Sequence, residues 1–403
     1  MPDAVLDHLL IASGAQFDAQ RQPSTARLTV HPLPGGPAPD IAGLAAVLER
    51  TWPAEAGAVS LNLTSEPWLR ALLQHLQMHG PQPHWRVELP AFLLSDPAEQ
   101  ARLLALHGQG HAFVLKGRPL QPLSPELLAC FRCAIIDVDE ERRLPGQAAP
   151  DPKARQLPFV QTGVHTPAEA SASFARGAIG VLGWPLGDPP ESGVSRRELP
   201  GAISTVAELM QRLDREEPVG RLDEVLRRDP ALAFRLLRYI NSPGFGLSVE
   251  VTSFQHAIMV LGYQRLKRWL ALLLTSTIDS PDLRPMMFLA LRRGLLMEEL
   301  ARQQGDEVLR NEAFICGVFS LLDRMLRQPF AQLLASVPVP ERVALALLDD
   351  AGAHAPGLAL AQAVESGLPY DIEAAMEPLM LGPAEYNQAA LQALAATRQL
   401  QTH

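Results

Sequence analysis

The chain is poor in lysine and cysteine. Three of its 35 basic residues are lysines (Lys116, Lys153 and Lys267), which leaves few amines for Schiff-base chemistry. The three cysteines are too few for a disulfide framework, and the C-x-x-C pair of Cys130 and Cys133 lacks the second pair that a zinc site needs. We therefore predict that both thiols of this pair pack inside a core.

Membrane and targeting signals are also missing from the sequence. No stretch approaches the roughly 18 consecutive apolar residues of a membrane span, and the first residues lack the basic segment of a signal peptide. The composition is 47% hydrophobic and 20% charged with a net charge of −9, which excludes wholesale disorder and argues against broad nucleic-acid binding. We expect a soluble cytoplasmic protein with room for two domains or one large barrel, no membrane partner and no clear nucleic-acid partner. A local Arg patch is the alternative for nucleic acid.

Residues 1–190 alternate short apolar runs with breaks that are rich in Pro and Gly. Some of these runs precede a helical pattern, and Ser65, Asp96 and Thr166 are placed to cap the helices. Strand, loop and helix in repetition predict a parallel α/β sheet or barrel. The predicted strands are 27–30, 58–63, 84–89, 111–115, 134–138, 157–164 and 178–183, and the predicted helices are 67–78, 97–107 and 166–176.

The character of the sequence changes after residue 190. Residues 191–201 are crowded with turn residues and have no apolar period, which predicts a linker. Residues 202–403 repeat apolar positions at helical spacing, and strand-like alternation is nearly absent. The predicted helices of this half include 222–228, 231–240 and 307–326. The predicted fold is therefore an α/β domain at 1–190 followed by an all-α bundle at 202–403.

The segment DPALAFRLLRYINSPGFGLSVEVTSFQHAIMVLGYQRLKRWLALLL (229–274) resembles the opening of the HDOD domain. Gly262 follows a predicted helix at 254–261 and suits a backbone position with positive φ. The positions that carry the resemblance are Asp229, Pro230, Asn241, Ser242, Ala257, Leu261 and Gly262.

HDOD domains are similar to HD-superfamily phosphohydrolases that have lost their metal site. In an active HD enzyme, His and Asp side chains hold a divalent ion that activates water. This sequence contains no His-Asp dipeptide, and the resemblance puts Ser320 and Leu321 at the metal-binding positions. Asp323 is then a lone carboxylate, which we expect on a solvated face or capping a neighbour. The resemblance therefore implies no metal site in the second half.

The run at 314–352 resembles bacterial proteins that fuse an EAL-like domain to HDOD, and the first half resembles EAL domains. These are (β/α)8-barrel phosphodiesterases that open cyclic di-GMP, with metal ions held by carboxylates and an Asn on strand ends. The pieces SLNL (60–63), RVELPAF (86–92) and AIIDV (134–138) resemble strands of that family. They retain three candidate remnants of the site, which are Asn62, Glu88 and Asp137.

Other site positions of the EAL family are altered in this sequence. Lys116 and Gly117 stand where two metal-binding Asp residues are expected, and Lys116 adds a positive charge there. At about 190 residues, this half is also shorter than the roughly 250 residues of a full barrel, which predicts an incomplete, degenerate barrel with missing helices. We therefore predict no catalytic residue, no metal and no cofactor. Further replacements are Ile135, Thr162, His165 and Leu182.

These losses favour a non-catalytic signalling adaptor that binds protein partners in bacterial regulatory pathways, including pathways linked to cyclic di-GMP. The alternative is a cyclic di-GMP receptor that binds the nucleotide without cleaving it, and an active phosphodiesterase is least favoured. For Asn62, Glu88 and Asp137 we favour structural roles, because strand-end polar residues commonly cap loops or bond neighbouring backbone. Residual nucleotide binding is the alternative.

Overall fold

The chain divides into two compact units. The first spans residues 1–187, 363–373 and 381–388, and the second spans residues 188–362, 374–380 and 389–403. The domain bounds 1–190, 191–201 and 202–403 stay a prediction. The computed structural model describes residues 4–53, 56–82, 84–119, 121–141, 156–190, 201–218, 220–222, 225, 254–276, 281–302, 305–337 and 339–401.

The first unit contains a closed barrel of eight strands. The first strand, β1, pairs antiparallel with both β2 and β8, and the other neighbouring strands are parallel. The strands are β1 (Leu9–Phe17), β2 (Pro23–Pro32), β3 (Val59–Leu63), β4 (Trp85–Pro90), β5 (Phe113–Lys116), β6 (Phe131–Asp137), β7 (Phe159–Thr162) and β8 (Gly180–Leu182).

Helices alternate with the parallel strands. The chain turns from β1 directly into β2 through a hairpin at residues 18–22, where a parallel barrel would have a helix. All eight strands are present and close into a barrel. Among the described residues, the helix that is missing from a (β/α)8 pattern is the one between β1 and β2. The described helices of this part are α1 (Ile41–Thr51), α2 (Glu66–His79), α3 (Pro97–Gly108), α4 (Pro125–Ala129) and α5 (Pro167–Ala175).

The predicted α/β pattern is confirmed, with three omissions. The seven predicted strands correspond to β2 through β8, whereas β1, α1 and α4 were not predicted. Asp96 accepts a hydrogen bond from the Ala98 N–H, and Thr166 accepts one from the Glu169 N–H, as expected of helix caps. Ser65 occupies the N-cap position of α2 as predicted, but its side chain makes no capping hydrogen bond.

The regular elements described between residues 201 and 401 are all helical, as predicted. No described helix is long and apolar enough to cross a membrane. The helices are α6 (Gly201–Asp214), α7 (Phe254–Ser276), α8 (Arg284–Arg302), α9 (Glu307–Phe319), α10 (Leu322–Leu326), α11 (Phe330–Leu333), α12 (Glu341–Asp349), α13 (Ala355–Ser366), α14 (Pro369–Met376) and α15 (Pro383–Gln401).

Two of the helix predictions need comment. The sequence predicted one helix at 307–326, but the chain leaves the helix at Ser320 and Leu321 and forms α9 and α10. The predicted helix at 231–240 and most of the one at 222–228 lie outside the described residues. The same holds for four of the HDOD positions, which are Asp229, Pro230, Asn241 and Ser242.

Gly262 interrupts α7 as the sequence predicted. It has φ 73° and ψ 166°, so two helical segments meet at this residue. Leu261, immediately before it, is buried, and Ala257 lies in the first of the two segments. The positive φ explains the glycine, because an L-residue in this region is strained.

We expect Gly262→Ala to lower the free energy of unfolding by about 1–3 kcal/mol through backbone strain. No atom lies within 4 Å of the added Cβ, so steric overlap contributes nothing. The control is Gly108→Ala in α3, which also has open space around it and lacks a positive φ. Urea denaturation should show a loss for the first variant and no loss for the second. Equal stability of the two variants would contradict the strain argument.

Residues of the C-terminal helix complete the hydrogen bonding of β1. β1 pairs with β8 at Gln16 and Phe17, near its carboxyl end. Earlier in the strand, the Ile11 N–H donates to Asn387 Oδ1 at 2.8 Å, and the Tyr386 hydroxyl donates to the Ile11 carbonyl at 2.7 Å. The Asn387 amide also donates to the carbonyls of Leu6 and Leu9 at 2.9 and 2.7 Å. These side chains therefore stand in for a neighbouring strand, and both residues belong to the first unit.

Candidate functional site

The candidate remnants lie at or near the carboxyl ends of barrel strands. Asn62 is on β3 and Glu88 is on β4, where they are 4% and 1% exposed. Asp137 ends β6 and is partly exposed. This end of a (β/α) barrel is where active sites are built, so the EAL resemblance and the barrel topology point to the same edge.

Glu88 is held by a cation from a neighbouring strand. Arg27 on β2 donates from Nε to Oε1 at 2.7 Å and from Nη2 to Oε2 at 2.6 Å. The Ser60 hydroxyl donates to Oε1 at 2.9 Å. Both carboxylate oxygens therefore accept a guanidinium N–H in the bidentate geometry that Arg favours.

Asn62 is held by the second cation of the site. Lys116, at the end of β5, donates from Nζ to the Asn62 Oδ1 at 3.0 Å. The Asn62 amide donates in turn to Thr29 Oγ1 at 3.2 Å. The EAL resemblance puts Lys116 at a metal-binding position and aligns Asn62 with a metal ligand. These two residues thus contact each other in this barrel.

The electrostatics of this edge of the barrel are unfavourable for further positive charge. Burial lowers the pKa of Lys116, the nearby Arg27 lowers it further, and Glu88 opposes both. Burial also lowers the pKa of His31 on β2, whereas a hydrogen bond with the backbone of Gly367 raises it. The nearby charges of Lys116 and Arg27 lower this pKa further. The Nε2 atom of His31 is buried and finds no hydrogen-bond partner among the described residues. We call Arg27, His31, Asn62, Glu88 and Lys116 the cationic cluster.

The Asp137 side chain stabilises the turn that follows β6. Its Oδ1 accepts the backbone N–H of Asp139 at 2.8 Å. A Cβ at Gly163, whose φ is 71°, would lie 2.7 Å from Asp137 Oδ2, so the β7 end passes close to this carboxylate. The structure thus links Asn62 and Glu88 to the two cations and uses Asp137 in the connection after β6.

The interior of the barrel below the cationic cluster is filled. The space left there is about 10 Å³, which holds one water molecule at most. Val114, Cys133, Ile135 and Val160 form its apolar side. The other lining residues are Gln16, Thr25, Arg27, Ser60, Arg86, Glu88 and Leu182. This part of the barrel interior therefore has no room for a ligand larger than a water molecule.

The cysteines behave as packing thiols, as predicted. Cys130 and Cys133 are buried and free, and burial raises the pKa of each thiol. Cys133 faces the apolar side of the barrel interior. A raised pKa keeps a thiol protonated and unreactive.

The residues at the strand ends do not fit a divalent metal ion. An incoming ion would have to displace Arg27 from Glu88 and Lys116 from Asn62, and both cations would repel it. Among the residues that the structure describes, no group of three or more His, Cys, Asp or Glu is placed to hold a metal.

The helical unit shows a similar arrangement at the positions that the resemblance aligned with metal ligands. Ser320 is buried and accepts a hydrogen bond from the buried Arg293 at 3.1 Å, and Leu321 is fully buried. The solvated position expected for Asp323 is wrong, because this carboxylate is 3% exposed. Burial raises the pKa of Asp323, and the adjacent Arg324 opposes the shift.

Sequence reasoning missed several residues of the site. Arg27, Thr29, Ser60 and His31 were not identified, although polar residues alternate with apolar ones along β2 (RLTVH). Such alternation indicates side chains that share one face of a strand. The sequence does not show that Arg27 pairs with Glu88, because the two residues are 61 positions apart in the chain.

Comparisons with known proteins agree with this architecture. The HDOD domain family model matches residues 199–328. The chain is 31% identical over 132 residues to the cyclic di-GMP phosphodiesterase CdgJ of Vibrio cholerae, covering 33% of this chain and 31% of that protein. It is 28% identical over 216 residues to the uncharacterized protein YuxH of Bacillus subtilis, covering 53% and 52%. The chain thus matches about a third and about half of the lengths of these curated relatives.

Solved structures show more distant similarity. A putative phosphohydrolase from Shewanella amazonensis has 22% sequence identity and a TM-score of 0.37, covering 50% of this chain and 94% of that chain. The EAL domain of Mycobacterium smegmatis DcpA has 15% identity and a TM-score of 0.29, covering 43% and 89%. The chain carries an HDOD domain at residues 199–328, preceded by an N-terminal EAL-like barrel.

Proposed function

We propose that this protein is a non-catalytic signal-transduction adaptor of the EAL-HDOD type, which binds protein partners in bacterial regulatory pathways. The observation that carries the proposal is the bidentate ion pair between Arg27 and Glu88. The carboxylate that an EAL phosphodiesterase would use for metal is a structural ion-pair partner in this barrel.

The energetics support this role for Glu88. Its side chain is 0% exposed, and that of Arg27 is 20% exposed. Removing one partner of a buried pair typically costs about 3–5 kcal/mol, so a metal ion would have to replace that interaction in full. Lys116 lies in the same cluster and adds to the repulsion that the ion meets.

Turnover of cyclic di-GMP tests the proposal. We expect no hydrolysis above background by the full chain in Mg²⁺ or Mn²⁺. The comparison variant is Glu88→Ala, which removes the retained carboxylate. Hydrolysis by the wild type that Glu88→Ala abolishes would overturn the adaptor proposal, because it would make Glu88 part of a working site.

A second candidate function is a cyclic di-GMP receptor that binds without hydrolysis. Lys116 favours it, since its positive charge beside the neutral Asn62 suits a phosphodiester. The space inside the barrel beneath the cationic cluster is too small for such a nucleotide, so we place it at the strand ends beside Lys116. We choose this nucleotide as the probe because the chain is similar to the cyclic di-GMP phosphodiesterase CdgJ.

Calorimetric titration separates the two candidates. We expect no binding of cyclic di-GMP by the wild type if the adaptor proposal is right. Binding without turnover would instead favour the receptor. In that case Lys116→Met should weaken the affinity, whereas Lys267→Met on α7, whose lysine pairs with Asp214, should leave it unchanged.

A further inference from the structure

Helix α2 presents two histidines together on one face. His75 and His79 are one turn apart, at the i and i+4 spacing that makes side chains neighbours on a helix. Their rings stack with centroids 4.0 Å apart and planes 17° from parallel, so one ring has to turn about its χ2 bond before both lone pairs point at a shared ion. His79 is exposed and His75 is half-buried, so solvent reaches the pair.

A backbone hydrogen bond orients the ring of His79. Its Nδ1 lies 2.9 Å from the carbonyl oxygen of His75. A carbonyl oxygen can only accept, so Nδ1 carries the hydrogen, and Nε2 of the neutral ring keeps its lone pair. Histidines that bind metal ions commonly donate the other ring N–H to a backbone carbonyl in this way.

A carboxylate adds negative charge near the pair. Glu49 on α1 interacts electrostatically with His75. The Gln82 amide donates to Glu49 Oε1 at 2.7 Å, which holds this side chain in place. A negative charge near His75 offsets part of the charge of a bound cation.

We propose that His75 and His79 bind a divalent late transition-metal ion on the surface of α2. Imidazole suits Ni²⁺, Cu²⁺ and Zn²⁺, whereas Mg²⁺ and Ca²⁺ prefer oxygen ligands. Within the described part of the chain, no third His, Cys, Asp or Glu completes a cluster of three, so water fills the other coordination positions. This site is independent of the strand-end residues Asn62 and Glu88 and does not rest on the adaptor proposal.

Titration of the full chain with Ni²⁺ by calorimetry tests the site. His75→Gln and His79→Gln should each weaken Ni²⁺ binding about tenfold or more, because the second imidazole then no longer adds its intramolecular contact. The control is His107→Gln, which removes an exposed histidine near the end of α3. It should leave the affinity unchanged, and Mg²⁺ should not compete.

Circular dichroism of each variant verifies that the helix content of the chain is unchanged, so a loss of Ni²⁺ affinity reports on the imidazole that was removed. The proposal would be overturned if the Ni²⁺ affinity were unchanged in the His75→Gln variant and in the His79→Gln variant. An equal loss in His107→Gln would overturn it as well, because it would show binding to surface histidines in general.

Discussion

Replacing Arg27 with methionine is expected to lower the free energy of unfolding of the first unit by about 3–5 kcal/mol. The variant leaves the buried Glu88 carboxylate with the Ser60 hydroxyl and without its guanidinium partner. A buried charge without a counter-ion is strongly unfavourable, because the surrounding protein solvates it poorly. Methionine retains an unbranched apolar stem, so the loss reports mainly on charge.

Tryptophan fluorescence during urea unfolding measures this effect. Four of the five tryptophans lie in the first unit, so the signal reports chiefly on the barrel; they are Trp52, Trp68, Trp85 and Trp184. The matched control is the double variant Arg27→Met with Glu88→Gln, which removes both charges and should recover most of the stability. A failure of Glu88→Gln to rescue Arg27→Met would show that the two side chains are not coupled as the structure has them.

Replacing Asn387 with alanine is expected to destabilise the first unit by about 2–5 kcal/mol, because it leaves buried backbone groups without hydrogen-bond partners. The variant removes the acceptor of the Ile11 N–H and the donor to the carbonyls of Leu6 and Leu9. Asn387 is fully buried, so water does not replace these bonds without a local opening. Each unsatisfied buried backbone group typically costs about 1–3 kcal/mol, and the costs at one site are not additive.

Hydrogen exchange localises the effect of Asn387→Ala. The amide of Ile11 should exchange faster in the variant, whereas amides in the centre of β3 should change less. Gln388→Ala is the matched control, because Gln388 is the next residue of α15 and is exposed. Unchanged protection at Ile11 would contradict the role of Asn387 as a substitute for a neighbouring strand.

The sequence was sufficient for most of the barrel, and the exceptions have physical reasons. β2 through β8 are short apolar runs between turn residues, and that pattern predicts buried parallel strands. β1 (LLIASGAQF) was missed because Ala, Ser and Gly have low strand propensity, so its tertiary pairing with β2 decides its conformation. α4 is five residues long, which is too short for a helical period to stand out.

The site was predicted less completely than the fold. The strands that carry Asn62, Glu88 and Lys116 were predicted from the sequence, whereas the assignment of these residues to a remnant site stays a prediction. What those residues contact depends on how strands far apart in the chain come together. Only the closed barrel brings Arg27 to Glu88, so the sequence favoured structural roles over nucleotide binding but did not identify this ion pair.

The central claim is that side-chain cations hold the positions that would bind metal at the barrel strand ends. Titration of the full chain with Mn²⁺, read by electron paramagnetic resonance, tests it most directly. The variant Glu88→Gln keeps the shape of the side chain and removes its charge. We expect the Mn²⁺ isotherms of the wild type and Glu88→Gln to coincide. Stoichiometric Mn²⁺ binding by the wild type that is lost in Glu88→Gln would contradict the claim.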